Sequence, residues 1–194
     1  MFNVKQLFAT AMLIALPMTA TAKYDLIESQ SKLVFVSIKK DSIGEVNEFK
    51  SLSGSIDKNG LATVEVDLTS VSTGIEIRDQ RLQNHLFDTA KFSTAKVQTE
   101  VSLDALKELK VGESFHRHAP ITLSLHGIEQ QLIAHSDVYK LSENKILVIS
   151  AKPVLVNANE FGLIAGVEKL KELAGLPSIA TAIPVTFKLV FELD

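Results

Sequence analysis

Residues 62–87 read Ala-Thr-Val-Glu-Val-Asp-Leu-Thr-Ser-Val-Ser-Thr-Gly-Ile-Glu-Ile-Arg-Asp-Gln-Arg-Leu-Gln-Asn-His-Leu-Phe. The first seven alternate, with Val64, Val66 and Leu68 on one parity and Thr63, Glu65 and Asp67 on the other. Such a period of two marks a strand with one buried face and one wet face. The run then changes character and sets Arg78, Asp79 and Arg81 beside the apolar pair Leu86 and Phe87. It reads as a strand, a turn and a short helix. Asp79 is expected to cap that helix, on which Leu82 and Leu86 share a face.

Working outward, the same alternation recurs. Lys58-Asn59-Gly60 carries the Asn-Gly pair favoured in tight hairpins, and the strand before it would hold Leu52, Gly54 and Ile56. Ile121, Leu123 and Leu125 alternate, then His126-Gly127 offers a turn into a strand over 131–141. The clearest strand holds Ile183, Val185, Phe187, Leu189, Phe191 and Leu193, with Val190 the one apolar residue on its outer side. Leu33 to Ile38 and Lys145 to Val156 are apolar on both parities, which predicts strands covered on both faces. Helices are few. Val167, Leu170, Leu173 and Ala174 fall at helical spacing before Gly175 and Pro177, and Asp104 to Leu109 forms a third short segment. No linker, repeat or charge block divides the chain. A single, mainly β domain follows, either barrel or sandwich.

The N-terminus reads differently. Lys5, an apolar core over Leu7 to Leu16, Pro17 and then Ala20-Thr21-Ala22 make a secretory signal peptide, expected to be cut after Ala22. The domain is then 23–194, and a periplasmic location is expected. The apolar run is too short to span a bilayer, so no stable membrane anchor is expected. A net charge of -3, with Lys and Arg scattered, argues against a nucleic-acid partner. The chain has no cysteine, which excludes disulfides, thiolate metal sites, a cysteine nucleophile and a lipid-modified N-terminal cysteine.

Candidate chemistry is sparse. His116-Arg117-His118 puts two imidazoles on one face if the segment is a strand, but no third ligand is marked by spacing. It reads as a solvated loop or strand edge, and no metal site is expected. Arg78, Asp79, Arg81 and His85 form the one dense polar cluster beside apolar residues. It has three readings: an acid-base or anion site, a helix start with paired arginines, or a barrel mouth where an arginine holds the polar end of a lipid. No nucleophile, Gly-rich phosphate loop or zinc-protease sequence accompanies it, so no catalytic residue is assigned and the chain is read as a non-enzyme. The apolar alternation is the main functional clue. Phe35, Val64, Val66, Leu68, Leu123, Leu125, Val185, Phe187 and Leu189 are expected to point inward, with Arg78 and Phe87 near a mouth. These residues either fill a dry core or line a ligand cavity.

Several segments together resemble the YceI-like family. They are Phe49 to Gly54 with Asn59-Gly60, Val66 to Leu68 through Thr73 to Asp79, and Leu86-Phe87-Asp88 to Phe92. Leu123 to Gly127, Pro153 to Ala158 through Phe161 to Leu163, and Gly175 to Ile179 complete the order. Ser93 stands where the family often has proline, and Asn157-Ala158-Asn159-Glu160 where many members carry Arg or Ser before the acidic residue. The resemblance implies a lipocalin-like extended antiparallel β-barrel of about eight strands with a few short helices. It also implies a secreted carrier for a polyisoprenoid lipid or a prenylated quinone, with no other cofactor. The eleven inward and mouth residues would then be ligand-binding. Two further readings stand beside it: an outer-membrane structural barrel, and a periplasmic docking partner of a quinone-linked membrane redox protein.

Overall fold

The computed structural model describes residues 22–194, so the expected leader lies outside the described residues except for Ala22 in the first strand. Strands β1 (Ala22–Leu26), β2 (Lys32–Lys39), β3 (Ile43–Phe49), β4 (Leu52–Asp57), β5 (Leu61–Asp67) and β6 (Val71–Ser72) come first. They are followed by β7 (Thr94–Glu100), β8 (Ser114–Leu125), β9 (Ile128–Ser142), β10 (Lys145–Ser150), β11 (Val154–Asn157) and β12 (Ala182–Leu193). Three α-helices punctuate them: α1 (Glu76–Arg81), α2 (Leu103–Glu108) and α3 (Ile164–Ala174).

All pairings are antiparallel, and the ring closes where β12 meets β1, Tyr24 opposite Leu193 and Leu26 opposite Phe191. Four rungs are broken strands: β1 with β2, β3 with β4, β5 with β6, and β10 with β11. In the first three the halves part to different neighbours, as β1 pairs with β4 and β2 with β3, whereas β10 and β11 both pair with β12, so the twelve strands form a closed barrel of eight rungs. The break between β3 and β4 is satisfied by side chains from the two adjacent breaks. Ser70 Oγ accepts from the Lys50 and Ser51 amides at 3.1 and 3.0 Å, and Glu28 Oε1 accepts from the Leu52 amide at 3.1 Å. Backbone groups freed by a kink would otherwise be left unpaired.

The hairpins follow their turn chemistry. Asp57 Oδ1 accepts from the Asn59 and Leu61 amides, and Gly60 takes φ +87°, a left-handed conformation glycine adopts without strain. His126 and Gly127 both have positive φ, as a two-residue turn between right-twisted strands requires, and β8 and β9 then pair from Leu125–Ile128 out to Ser114–Tyr139. Helix α3 ends at Gly175, whose amide bonds the Glu172 carbonyl while the Leu176 amide bonds that of Lys171.

Inward parity carries most of the apolar residues and outward parity most of the charged ones. Cross-strand ion pairs Lys32–Glu48, Lys96–Glu65 and Lys145–Glu192 lie on the outer wall. One end of the barrel is packed by α3, a wide turn of π-helix over Leu82–Phe87 that continues α1, and a 3-10 turn over Ala158–Phe161, with Phe161 fully buried. Near the other end Leu106 of α2 packs with Tyr24, Ile56, Val138, Ile146 and Phe191.

Several expectations change. The helix after the distinctive strand begins at Glu76, so Asp79 lies inside it. Its carboxylate instead accepts from the amide and hydroxyl of Thr73, at 2.8 and 2.6 Å, and ties the preceding turn to the helix. Leu68 belongs to a 3-10 turn (Leu68–Ser70) just past β5. The stretch 145–156 is two strands, broken around Pro153, which has no amide to give a ladder. His116-Arg117-His118 is not a loop but lies within β8, paired to β9 on one side, and the ladder with β7 stops at Gln98–Thr122, so its other side is a strand edge with both histidines exposed. Val190 faces outward yet is only 2 % exposed, because the kink between β1 and β2 folds over it. There the Ile27 amide bonds its carbonyl, and its own amide donates to Ser31 Oγ.

Candidate functional site

The barrel encloses a cavity of about 480 Å³. All eleven residues singled out from the sequence lie on its wall. Val64 and Val66 come from β5, Leu123 and Leu125 from β8, Phe35 from β2, and Val185, Phe187 and Leu189 from β12. Leu68 follows β5, while Arg78 and Phe87 are held by α1 and the π-helical turn. The strand parity that placed them inward also brings in Leu33, Phe49, Val97, Leu132, Ala134, Val148 and Val154 from neighbouring rungs. Rings pack at a tilt along one side, Phe35 to Phe49 at 5.3 Å and Phe49 to Phe87 at 5.8 Å between centroids. Leu82 and Leu86, one helical face as expected, join the wall together with Leu163, Val167 and Leu170 from the segment that includes α3.

One rim of the cavity is polar, built where β2, β3 and α1 meet. Arg78 Nη1 donates to Glu45 Oε2 at 2.5 Å, Lys39 Nζ to Glu45 Oε1 at 2.7 Å, and Arg78 Nη2 to the Thr73 carbonyl at 3.2 Å. The Lys39 hydrogen bond, opposed by burial and aided by the Arg78 charge, holds the Glu45 carboxyl below its usual value of 4.5. Beneath it Asn47, 3 % exposed, donates to Ser37 Oγ at 3.0 Å and to the Glu45 carbonyl at 3.1 Å. Arg78 Nε is buried and, among the described residues, has no hydrogen-bond partner. Arg81 lines the wall nearby and donates to the Leu173 carbonyl at the end of α3, where a helix carries partial negative charge. Of the four residues of the polar cluster read from sequence, Arg78 and Arg81 face the cavity and Asp79 braces the turn. His85 is not on the wall.

Sequence reading missed a second polar position. Arg117 of β8, Thr99 of β7 and Ser136 of β9 all line the cavity. The signal was available, because Arg117 shares the odd parity of Ile121, Leu123 and Leu125. Taking 116–118 as a solvated edge stopped the alternation short. Its even-numbered neighbours face outward. His118 stacks on His135 at 4.4 Å between centroids, and His116 Nδ1 lies 2.9 Å from Asp137 Oδ1. Among the described residues no cluster has the arrangement of a metal site.

Once this geometry is set beside known proteins, the class is clear. The YceI-like domain family matches residues 24–191, and the chain belongs to that family. No curated protein sequence matches the chain. Among solved structures, a polyisoprenoid-binding domain from Saccharophagus degradans, implicated in plant cell wall breakdown, is 39% identical. It superposes with a TM-score of 0.88, over 90% of this chain and 100% of that one. BcnA of Burkholderia cenocepacia shares the fold at 16% identity and a TM-score of 0.65, covering 86% of this chain and 99% of its own. The Campylobacter jejuni YceI protein does so at 14% identity and 0.57, covering 76% and 84%.

Proposed function

We propose that this protein is a secreted, non-catalytic carrier that holds a polyisoprenoid lipid or a prenylated quinone inside its barrel. The observation that carries the reading is the apolar cavity of about 480 Å³ enclosed by the closed sheet, within the usual range of roughly 300–1,000 Å³ for ligand pockets. Each methylene moved from water into such a wall contributes about 0.8 kcal/mol, so a few isoprene units supply substantial affinity without any polar anchor. The 39% identical relative is itself described as polyisoprenoid-binding, which supports this choice of tail. A periplasmic location rests on the leader read from the sequence. An apolar interior under a wall of ion pairs is the reverse of an outer-membrane barrel, which shows an apolar band to lipid and a polar lumen. It supports a carrier working in water.

Organic extraction of the purified protein, followed by mass spectrometry, tests the reading. A prenyl lipid recovered near one per protein is expected, as is re-uptake of the same lipid from vesicles after delipidation. A protein that carries none and takes up neither prenyl alcohols nor prenylquinones is no carrier of this kind.

A further inference from the structure

Three segments meet around one opening of the cavity, and hydrogen bonds tie them into a collar. Arg78 of α1 pairs with Glu45 of β3, and Arg81 Nη1 donates to the Leu173 carbonyl of α3 at 3.3 Å. The loop after α3 returns to the hairpin between β2 and β3. There the Lys40 amide donates to the Ser178 carbonyl at 3.2 Å, the Ala180 amide to the Ile38 carbonyl at 2.8 Å, and Ser178 Oγ to Asp41 Oδ1 at 2.6 Å. Each segment lends residues to the cavity wall: Lys39 and Glu45, Arg78 and Arg81, Leu176 and Ile179. The side chains of Lys39, Glu45 and Arg78 are nevertheless 29, 29 and 30 % exposed, so the wall reaches solvent here.

The large side chains that this collar exposes are apolar. Ile43, Ile75 and Ile77 are 42, 47 and 52 % exposed, and they lie outside the cavity lining. A side chain at Gly74 or at Gly175 would meet nothing within 4 Å, so the turn before α1 and the turn after α3 both face open space. Single exposed apolar residues are ordinary on a protein surface, but three grouped about one opening mark an interaction site. The charges beside them balance. Lys39, Lys40, Arg78 and Arg81 are matched by Asp41, Glu45, Glu76 and Asp79, and residues 173–180 are uncharged. Most of the carboxylates are also satisfied locally, Glu45 by Lys39 and Arg78, Asp79 by Thr73, and Asp41 by Ser178. Such a collar is not drawn to a charged partner, and it gives up little when water leaves it.

We infer that this collar docks on the surface of a lipid bilayer, with Ile43, Ile75 and Ile77 dipping into the boundary between head groups and acyl chains and the cavity opening toward the lipid. The inference rests on the carrier reading above and names the partner from which the cargo is drawn. Continuity with the cavity fixes the occupant. The isoleucines border an opening that leads onto an apolar wall, so a greasy tail passes from bilayer to barrel without crossing water, where hydration of every methylene would oppose it. A neutral collar with three inserted side chains binds reversibly and with little dependence on salt, as a carrier that must leave again requires.

The chain has no tryptophan, so Ile75→Trp places a single indole reporter on the collar. Its emission should shift to the blue with phosphatidylcholine vesicles, at low and high salt alike, and brominated acyl chains should quench it. Leu141→Trp, exposed at the opposite end of the barrel, should show neither effect. Ile43→Ser, Ile75→Ser and Ile77→Ser combined should slow transfer of a prenyl alcohol from those vesicles roughly tenfold, while affinity for the same alcohol delivered from ethanol stays within about twofold. No response of folded Ile75→Trp to vesicles, or an equal response of Leu141→Trp, overturns the docking face. Unchanged transfer by the folded serine variant does so as well. A blue shift that follows protein concentration rather than vesicles assigns the collar to a second copy of this chain and overturns it too. A protein that binds vesicles but takes up no prenyl lipid by either route overturns the carrier reading instead.

Discussion

Glu45 is the residue on which the polar rim turns, since it accepts from Lys39 with one oxygen and from Arg78 with the other. Its replacement by Gln should cost about 1–2 kcal/mol at pH 7, the usual worth of a charge-assisted hydrogen bond plus the cost of a less well paired arginine. The pH dependence has a definite sign. A carboxyl whose folded pKa lies below its usual value of 4.5 binds fewer protons in the native than in the unfolded state around that pH. Its stabilisation is therefore complete above about pH 4.5 and is lost as pH falls through the lowered folded value. Thermal melts between pH 7 and pH 3 should show the wild-type advantage over Glu45→Gln shrinking below pH 4.5. A constant gap across that range would contradict the assignment. The rim itself was only half legible in the sequence. Arg78 stands out beside its apolar neighbours, whereas Glu45 lies 33 residues away and joins it only through the pairing of β3 with β6, the strand that leads into α1.

At the scale of the element, the contact between α3 and the π-helical turn controls how this end of the barrel is covered. Gly166 makes it close: a Cβ there would fall 2.5 Å from the His85 carbonyl oxygen and 2.9 Å from the Leu86 Cα. Those are backbone atoms and cannot swing aside. Gly166→Val should destabilise the protein by roughly 1–3 kcal/mol, as overpacking does elsewhere, and should push α3 off Leu86, a cavity-wall residue. Gly44→Ala is the natural control, because its new methyl would meet only Val36 Cγ1 at an ordinary 3.7 Å. Equal melting temperatures for Gly166→Val and wild type would show that the helix seats differently. Helical spacing and the Gly175 stop made α3 readable from the chain. The π-turn was not readable, because a single extra residue per turn leaves the placement of Leu82 and Leu86 almost unchanged. The missed start of α1 has a local cause. Asp79 resembles a cap by residue type, but Thr73 six positions earlier claims its carboxylate.

For the molecule as a whole, inside and outside were assigned correctly wherever alternation is regular, as in β5, β8 and β12. Composition could not decide between a filled core and a cavity, since a wall of Val, Leu and Phe is the same list of residues in either case. The space depends on eight rungs closing at a particular diameter, a property of long-range register. Val66→Trp and Leu125→Trp probe that space directly, as both side chains line the cavity. Each should cut prenyl-lipid uptake severalfold while the barrel still melts cooperatively. Uptake unchanged in both folded variants would place the ligand elsewhere.

Strand β12 touches β1, β2, β10 and β11, so residues from opposite ends of the described chain meet along it. Until it docks, β1 and β10 lie at the two free margins of an open sheet, each with a row of unmet amides and carbonyls, and the greasy inner face is open to water. Such margins recruit other chains. Because the contacts of β12 with β1 and β2 are the most distant in sequence, closure at that margin is expected to come late. The molecule's period of greatest vulnerability to self-association is thus set by how late β12 arrives. A partner or lipid that occupies the greasy face during that interval would act as a folding aid before it ever became a passenger.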